Sequence, residues 1–316
     1  MADRDVGAAE NERRGLGYGI AAYALWGAFP LYWPLLEPAN TIEILAQRML
    51  WSLAVVGVLL WFTHGWARVR AVLRVPSQRW RLCAAAVFVS VNWGVYIWGV
   101  NAGHVIETSL GYFINPLFTV LLGVGLLGEH LRRWQWLAVA IGALAVVVLA
   151  VDYGRPPWIA LVLAFTFGMY GYLKKRVSVG AVESLAIETG FLAVPAAIAM
   201  AVVAIRGDAT FATHGAGHAG LLAATGLVTV APLLLFGAAA RRLPLTTLGL
   251  VQYLAPVLQF AVGVGIRHEP LPPARLAGFM LVWLALAILS VDGLRHGRTG
   301  GVHREHTVAT VAHERS

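Results

Sequence analysis

The sequence predicts an all-α integral membrane protein of ten transmembrane helices. We expect them to form two five-helix repeats of inverted topology, with both termini in the cytoplasm. Three observations lead to this prediction. The chain is very apolar for its length, its basic residues are unevenly shared between successive loops, and its two halves share a sequence pattern.

Composition places the chain in a membrane. Of its 316 residues, 59% are hydrophobic and only 13% are charged, whereas soluble domains are about 25% charged. A spanning helix needs about 20 mostly apolar residues to cross roughly 30 Å of hydrocarbon. Apolar runs bounded by charged residues, Pro or Gly predict ten such spans, at residues 17–36, 43–63, 82–101, 105–127, 134–152, 157–174, 185–205, 219–239, 246–266 and 274–293. A polar segment (1–16) precedes them, and a tail (294–316), predicted to be disordered, follows.

The basic residues orient the predicted spans. If the N-terminus is cytoplasmic, the inside segments hold 19 of the 24 Lys and Arg residues and the outside loops hold four, while Arg48 lies within span 2. This bias satisfies the positive-inside rule. Several tryptophans near the ends of the runs fit an interfacial aromatic belt: Trp33, Trp66, Trp80, Trp134 and Trp158.

Charge and cysteine content limit the partners. The net charge of +8 comes from arginines in short loops, so membrane topology explains it and no nucleic acid partner is predicted. The single cysteine, Cys83, excludes a disulfide framework and a thiolate metal site. No cofactor and no metal are predicted; the expected partners are the lipid bilayer and a small-molecule substrate, and the chain is expected to be a monomer or homodimer.

The two halves resemble each other at an offset near 140 residues. The segment from Glu43 to Arg48 aligns with that from Glu183 to Glu188, and the segment after Pro116 aligns with that after Pro256. Each half, 17–152 and 157–293, has five predicted spans. Because five is odd, the second half must enter the membrane from the opposite side, and such inverted repeats are typical of secondary transporters.

One motif suggests a nucleotide site and is rejected. GVGLLG, which begins at Gly123, matches the pattern G-x-G-x-x-G, but the aligned segment of the second half, GVGIRH, lacks the third glycine. The shared Gly-Val-Gly instead permits close approach of two helices. A Walker-type phosphate loop is absent from the sequence, which argues against transport driven by ATP.

Four motifs carry a resemblance to a known family: ILAQRMLWS in span 2, NWGVYIWGVN in span 3, ETSLGYFINPL in span 4 and LGLVQYLAPVL in span 9. Together they resemble the RarD branch of the EamA-type drug/metabolite transporters, over about residues 16 to 295. The resemblance implies a ten-helix, inverted-repeat transporter of the bacterial plasma membrane, in a branch named for a link to chloramphenicol sensitivity.

Polar groups within hydrocarbon are costly and tend to face the bundle interior or a wet cavity. The candidate transport residues are Arg48, Asn92, Tyr96, Asn115, Glu188, Gln252 and Tyr253, with Pro116 and Pro256 as predicted helix interruptions. Asn92 and Tyr96, four residues apart, share one helix face. For each of these residues two interpretations remain, contact with a substrate or a helix-to-helix hydrogen bond.

Arg48 and Glu188 occupy equivalent positions in the two halves. Inverted geometry separates them by roughly 14 Å along the membrane normal, given a core of about 30 Å, so we expect each to border one end of a cavity. Arg48 either serves transport or forms a structural contact. Glu188 either couples protons or makes a structural hydrogen bond. Glu129 and Glu269, at span ends, are predicted to cap helices or form loop salt bridges.

Three classes of function fit a polytopic membrane protein. Transport of a small solute (a drug, a metabolite or an amino-acid-like compound) by alternating access is preferred, with proton-coupled export as one form. An enzyme acting on a lipid-borne substrate predicts clustered polar residues at one interface, and neither H-E-x-x-H nor G-x-S-x-G is present. A scaffold without transport activity predicts no polar interior. The sequence therefore favours a transporter and no enzyme activity.

The topology can be tested with reporter fusions. Fusions after residues 70, 130 and 178 are expected to report a cytoplasmic location, because the segments around them hold the excess of basic residues. Alkaline phosphatase and a cytoplasmic fluorescent protein at the same sites give complementary signals. A periplasmic signal at any one of the three would overturn the predicted topology.

Overall fold

The computed structural model describes residues 2–127, 130–240, 242–243, 247–248 and 251–292, and the secondary structure of these residues is helical throughout. The predicted C-terminal tail and Glu129 lie outside them. The helices are α1 (Ala2–Gly27), α2 (Phe29–Tyr32), α3 (Thr41–Phe62), α4 (Trp66–Leu73), α5 (Pro76–Asn101), α6 (Val105–Leu127), α7 (Arg133–Tyr153), α8 (Trp158–Lys175), α9 (Ala181–Ile205), α10 (Gly215–Ala240), α11 (Leu254–Gly265) and α12 (Pro273–Asp292).

Seven of these helices are long and apolar enough to cross a membrane: α3, α5, α6, α7, α9, α10 and α12. Two shorter apolar helices, α8 and α11, accompany them. This architecture agrees with the predicted all-α, multi-pass membrane class. The amphipathic helix α4 lies where only a loop, 64–81, is expected.

The local sequence sets several helix ends. Asn40 caps α3, because its side-chain oxygen accepts a hydrogen bond from the Glu43 N–H at 2.9 Å. Pro76 begins α5, where its missing N–H is not needed. Gly154 ends α7 at φ 63°, a left-handed conformation that glycine adopts without a steric penalty.

Span 1 differs from its prediction as a single helix over 17–36. α1 ends at Gly27, α2 follows, and a 3₁₀ turn covers Trp33–Leu36. Pro30 and Pro34 each lie at the start of one of these short pieces. Proline is tolerated there, but it cannot continue an existing helix ladder, so the chain breaks twice.

The two prolines predicted to interrupt helices are not structurally equivalent. Pro116 lies inside α6, which continues past it, so the cost is one backbone hydrogen bond. Among the described residues of span 9, predicted as 246–266, residues 247, 248 and 251 are helical, a turn follows at 252–253, and α11 begins at Leu254. Pro256 therefore sits in the first turn of α11, where N–H groups have no helical partner, directly after the turn that breaks span 9.

Helices from the two halves of the chain pack against one another. α3 packs against α9 and α10, α8 packs against α5 and α6, and α1 packs against α10 and α11, while α11 also contacts α6. α7 and α12 meet through Leu149 and Phe279 in one apolar core. The interior is therefore an interface between the halves.

Gly226 sets the distance between α10 and α3. A Cβ atom built on Gly226 would lie 2.6 Å from the carbonyl carbon and oxygen of Trp51. Backbone atoms of neighbouring helices are thus in contact here, as small residues in membrane helices allow. Thr229, three residues later on α10, is brought against Arg48 of α3.

Substitution of Gly226 tests this close contact. Gly226→Ala is expected to destabilise the protein by about 1–3 kcal/mol, because the obstructing atoms are backbone and cannot rotate away. Gly220→Ala on the same helix is the matched control. A Cβ there meets nothing within 4 Å, so its effect should be neutral or slightly stabilising. Unfolding of both variants in detergent measures the difference, and equal stabilities would refute the assigned contact.

Candidate functional site

Arg48, the eighth residue of α3, is buried in the interior and is only 2% exposed. Its Nε donates a hydrogen bond to Thr229 Oγ1 on α10 at 2.8 Å. Its Nη1 is buried without a hydrogen-bond partner, and no carboxylate in the described part of the chain forms a salt bridge with it. An arginine stays charged in proteins, so the site holds a cation without a protein counter-ion.

Aromatic rings enclose this guanidinium. Its Cζ lies 3.9 Å from the ring centroid of Trp93, 5.1 Å from that of Trp33 and 5.7 Å from that of Phe29. Such cation–π contacts compensate part of the desolvation of the charge. We call Arg48, Phe29, Trp33, Trp93, Tyr96 and Thr229 the Arg48 box.

The prediction that Trp33 belongs to the interfacial aromatic belt is wrong. Its side chain is completely buried, whereas Trp66, Trp80, Trp134 and Trp158 are exposed. Its position near a run end suggested the membrane interface, but the break after α1 turns it inward. Sequence reasoning also missed Trp93 and Thr229 as partners of Arg48, although Trp93 directly follows the candidate Asn92.

Tyr96 adds a further polar group to the Arg48 box. It is 2% exposed, shares an apolar cluster with Phe29 and Trp33, and lies within electrostatic reach of Arg48. Three polar atoms of the box lack partners among the described residues: Arg48 Nη1, Trp33 Nε1 and Tyr96 Oη. Since each unsatisfied buried group costs about 1–3 kcal/mol, these three atoms destabilise this conformation.

The two candidate asparagines form hydrogen bonds that link α5 and α6 to α8. Asn92 Nδ2 donates to the Leu163 carbonyl at 3.1 Å and to Thr166 Oγ1 at 3.0 Å. Its Oδ1 accepts from the Tyr112 hydroxyl at 3.1 Å, and the Tyr112 ring packs against Tyr96. Asn115 Nδ2 donates to the Ala164 carbonyl at 3.2 Å. In this conformation both amides make helix-to-helix hydrogen bonds.

Gln252 and Tyr253 lie apart from the Arg48 box. Both are half-buried in the turn that precedes α11. Tyr253 packs against the apolar core formed by α6, α7 and α12. The structure thus brings Arg48 and Tyr96 together with Asn92 beside them, and it leaves the pair from span 9 elsewhere.

Glu188, the eighth residue of α9, is paired rather than free. It is 1% exposed and accepts hydrogen bonds from Lys174 Nζ and Ser184 Oγ, each at 2.7 Å, and from the Tyr170 hydroxyl at 3.1 Å. Lys174 also donates to Ser184. Arg48 and Glu188 do not form an ion pair with each other, as expected from their predicted separation. Sequence reasoning counted Lys174 only as a loop charge and missed this partner.

A second charged cluster ties α6 to the loop between α11 and α12. Glu269 accepts hydrogen bonds from the N–H groups of Val105 at 2.5 Å and Ile106 at 2.8 Å. The prediction of Glu269 as a helix cap is confirmed, although the helix that it caps is α6. Burial raises the pKa of Glu269 above its ordinary value, against the opposing effect of these two N–H donors and of His104 and Arg267.

Ion pairs continue this cluster around a cavity of about 260 Å³. Arg155 pairs with Glu107 at 2.8 Å, and Arg275 pairs with Asp152 at 2.9 Å. At the other ends of the helices Arg68 pairs with Glu183 at 2.5 Å. Charged side chains therefore pair at both ends of the bundle, and Arg48 lies buried in its interior.

Comparison with known proteins gives concordant matches. Residues 13–151 match the profile of the EamA-like transporter family. The chain is 56% identical to "Protein RarD" of Streptomyces exfoliatus over 96% of each chain. It is 44% identical to an uncharacterized transporter of Pseudomonas aeruginosa, over 91% of this chain and 97% of the relative. A crystal structure with 21% sequence identity shares the fold, with a TM-score of 0.55 over 87% of this chain and 96% of its own.

The raised pKa of Glu269 predicts a pH dependence of stability. Because the folded-state pKa exceeds the value of about 4.3 for an unfolded glutamate, the contribution of Glu269 to stability is fully present below that value. It is lost as pH rises through the folded-state pKa. Glu269→Gln is uncharged at every pH, so the Tm of the variant minus that of the wild type should increase from about pH 4 to about pH 7.

Thermal unfolding in detergent across this range measures the difference between the two proteins. His104 also faces Glu269, so both proteins are compared again with His104→Gln added, which removes the histidine titration. A difference in Tm that stays constant with pH in both backgrounds would contradict the assignment.

Proposed function

We propose a function from the premise that this chain belongs to the EamA-like transporter family, in its RarD branch. The chain is a multi-pass protein of the bacterial inner membrane and a transporter of the drug/metabolite type. Its proposed action is secondary transport of a small solute by alternating access, without enzyme activity. The proposed substrate site is the Arg48 box.

Alternating access requires two halves that move against each other. The proposal is a bundle of ten spans in two inverted repeats, 17–152 and 157–293, with both termini cytoplasmic. Packing supports it. The proposed symmetry relates α1 to α8, α3 to α9, α5 to α10 and α6 to α11. Under this exchange the contact of α1 with α10 becomes the observed contact of α8 with α5. In the same way, the contact of α6 with α8 becomes that of α11 with α1.

Equivalent residues also occupy equivalent helical positions. Glu43 and Glu183 are the third residues of α3 and α9, and Arg48 and Glu188 are the eighth. Glu43 and Glu183 each contact a segment between two long helices: Glu43 accepts from the Thr210 and Phe211 N–H groups, and Glu183 pairs with Arg68 of α4. These correspondences support an inverted pair of halves.

The single observation that carries the proposal is the buried guanidinium, which has no counter-ion in the part of the chain that the structure describes. Arg48 belongs to one half and its hydrogen-bond partner Thr229 to the other. A scaffold gains nothing from such a costly group, and an enzyme acting on lipid needs its polar groups at one interface. A transport site between two moving halves needs an interior group that only the substrate satisfies.

Glu188 is the proposed site of proton coupling. As a carboxylate it holds Lys174 and thereby links α9 to α8. Protonation would remove the negative charge and weaken this link, so proton binding and opening of that end of the bundle would be coupled. Export driven by protons and facilitated diffusion differ in whether this step controls flux.

The test starts from purified protein in liposomes and a panel of radiolabelled amino acids, aromatic carboxylates and chloramphenicol. For a solute that enters, Arg48→Ala is expected to reduce uptake to the level of protein-free liposomes while membrane insertion is retained. Arg70→Ala, which removes an exposed arginine of α4, is the matched control and should leave uptake unchanged. Normal uptake by Arg48→Ala would remove the Arg48 box as the site.

The same vesicles test coupling. A pH difference across the membrane is expected to change uptake by the wild type and not by Glu188→Gln. If uptake by the wild type is independent of pH, the coupling proposal fails and facilitated diffusion remains.

A further inference from the structure

We propose that the Arg48 box selects a carboxylate carried on a flat aromatic skeleton, so that the transported solute is an aromatic monoanion. The inference rests on the proposed transport function and names the substrate class of that site. It separates this class from amino-acid zwitterions, from cations and from neutral drugs, all of which a transporter of this type could otherwise accept.

The unsatisfied groups of the Arg48 box define the chemistry of the missing partner. Arg48 Nη1, Trp33 Nε1 and Tyr96 Oη are buried and lack partners among the described residues. All three are able to donate, and the first two can only donate. An ionised carboxylate is an acceptor with two oxygens, and it makes its strongest hydrogen bonds with a guanidinium. A carboxylate is therefore the ligand group whose chemistry matches these donors.

The orientation of Arg48 is fixed before a ligand arrives. Thr229 Oγ1 accepts from Nε, and the Thr229 hydroxyl is itself committed to the Thr225 carbonyl at 2.8 Å. Trp93 covers the guanidinium plane at 3.9 Å. The ligand thus meets a pre-positioned donor and does not have to order a mobile side chain, which favours binding.

The charges of the described interior exclude a cationic group on the ligand. Glu188 is neutralised by Lys174, and Glu43 is occupied by the N–H groups and hydroxyl of the loop that contains Thr210. No carboxylate of the described residues is left to pair with an ammonium group inside the box. An ammonium group there would meet the like charge of Arg48, which repels it.

The walls of the box select the rest of the molecule. Phe29, Trp33 and Trp93 present three aromatic rings to the Arg48 guanidinium, and Tyr96 shares an apolar cluster with Phe29 and Trp33. Flat rings stack on or pack edge-to-face against such side chains. A carboxylate attached to an aromatic ring therefore satisfies the donors and the walls together.

Three probes of matched size test the charge requirement: 3-phenylpropionate, 3-phenylpropionamide and 3-phenylpropylamine. Their Kd values are measured by isothermal titration with the purified wild type in detergent. The carboxylate is expected to bind at least about tenfold more tightly than the amide, as hydrogen bonds to charged groups imply. The amine is expected to bind more weakly than the amide. Equal binding of carboxylate and amide, tighter binding of the amine, or no binding of the carboxylate overturns the inference.

Variants then test whether the preference for the carboxylate over the amide arises at Arg48. Arg48→Gln should bring the ratio of amide to carboxylate Kd close to one, while Arg70→Gln should leave it unchanged. A ratio retained in Arg48→Gln also overturns the assignment to this box. If Arg48→Gln does not fold, the three probes on the wild type still decide the charge requirement.

Failure of this inference differs from failure of the proposed function. If the carboxylate does not bind but another solute of the panel enters the liposomes, the substrate class is wrong and transport stands. If the carboxylate binds with the expected preference but no solute of the panel crosses, the anion site stands and the proposed transport through the Arg48 box is wrong.

Discussion

The structure depends on one constraint, the burial of a guanidinium in an apolar bundle where no carboxylate of the described residues balances it. Water is excluded from Arg48, so the protein replaces hydration with a hydroxyl, three aromatic rings and close helix packing. Gly226 lets α10 approach α3, and this approach puts Thr229 beside Nε. The broken first span supplies Phe29 and Trp33. The close packing at Gly226 and the broken first span, which are far apart in the sequence, thus both place groups around the Arg48 guanidinium.

The sequence predicted the helical class and the outline of the helices because apolar length and charged boundaries are local properties. It failed where a break depends on a few residues, at the interruptions around Pro30 and Pro34. The effect of a proline depends on its distance from the helix start: Pro256 lies just after the break in span 9, whereas α6 continues past Pro116. Patterns of hydrophobicity do not report that distance.

The candidate site was predictable in part. A charge within an apolar run identifies Arg48 and Glu188 without any structure. Their surroundings are not local, because Thr229 lies 181 residues from Arg48 along the chain and the side chain of Trp33 turns inward only after the chain breaks. Lys174 was hidden by its position at a run end, where a topological role explains it. Pairing across the bundle decides which buried charges are neutralised, and pairing is a property of the fold.

The opposite charges at the eighth positions of α3 and α9 also bear on how such a chain can be assembled. Two copies of the first half would bring two guanidiniums into one interior and lose Thr229, while two copies of the second half would bring two Glu188–Lys174 pairs and no free cation. Neither half therefore supplies both parts of the Arg48 contact, because the guanidinium comes from the first half and the hydroxyl of Thr229 from the second.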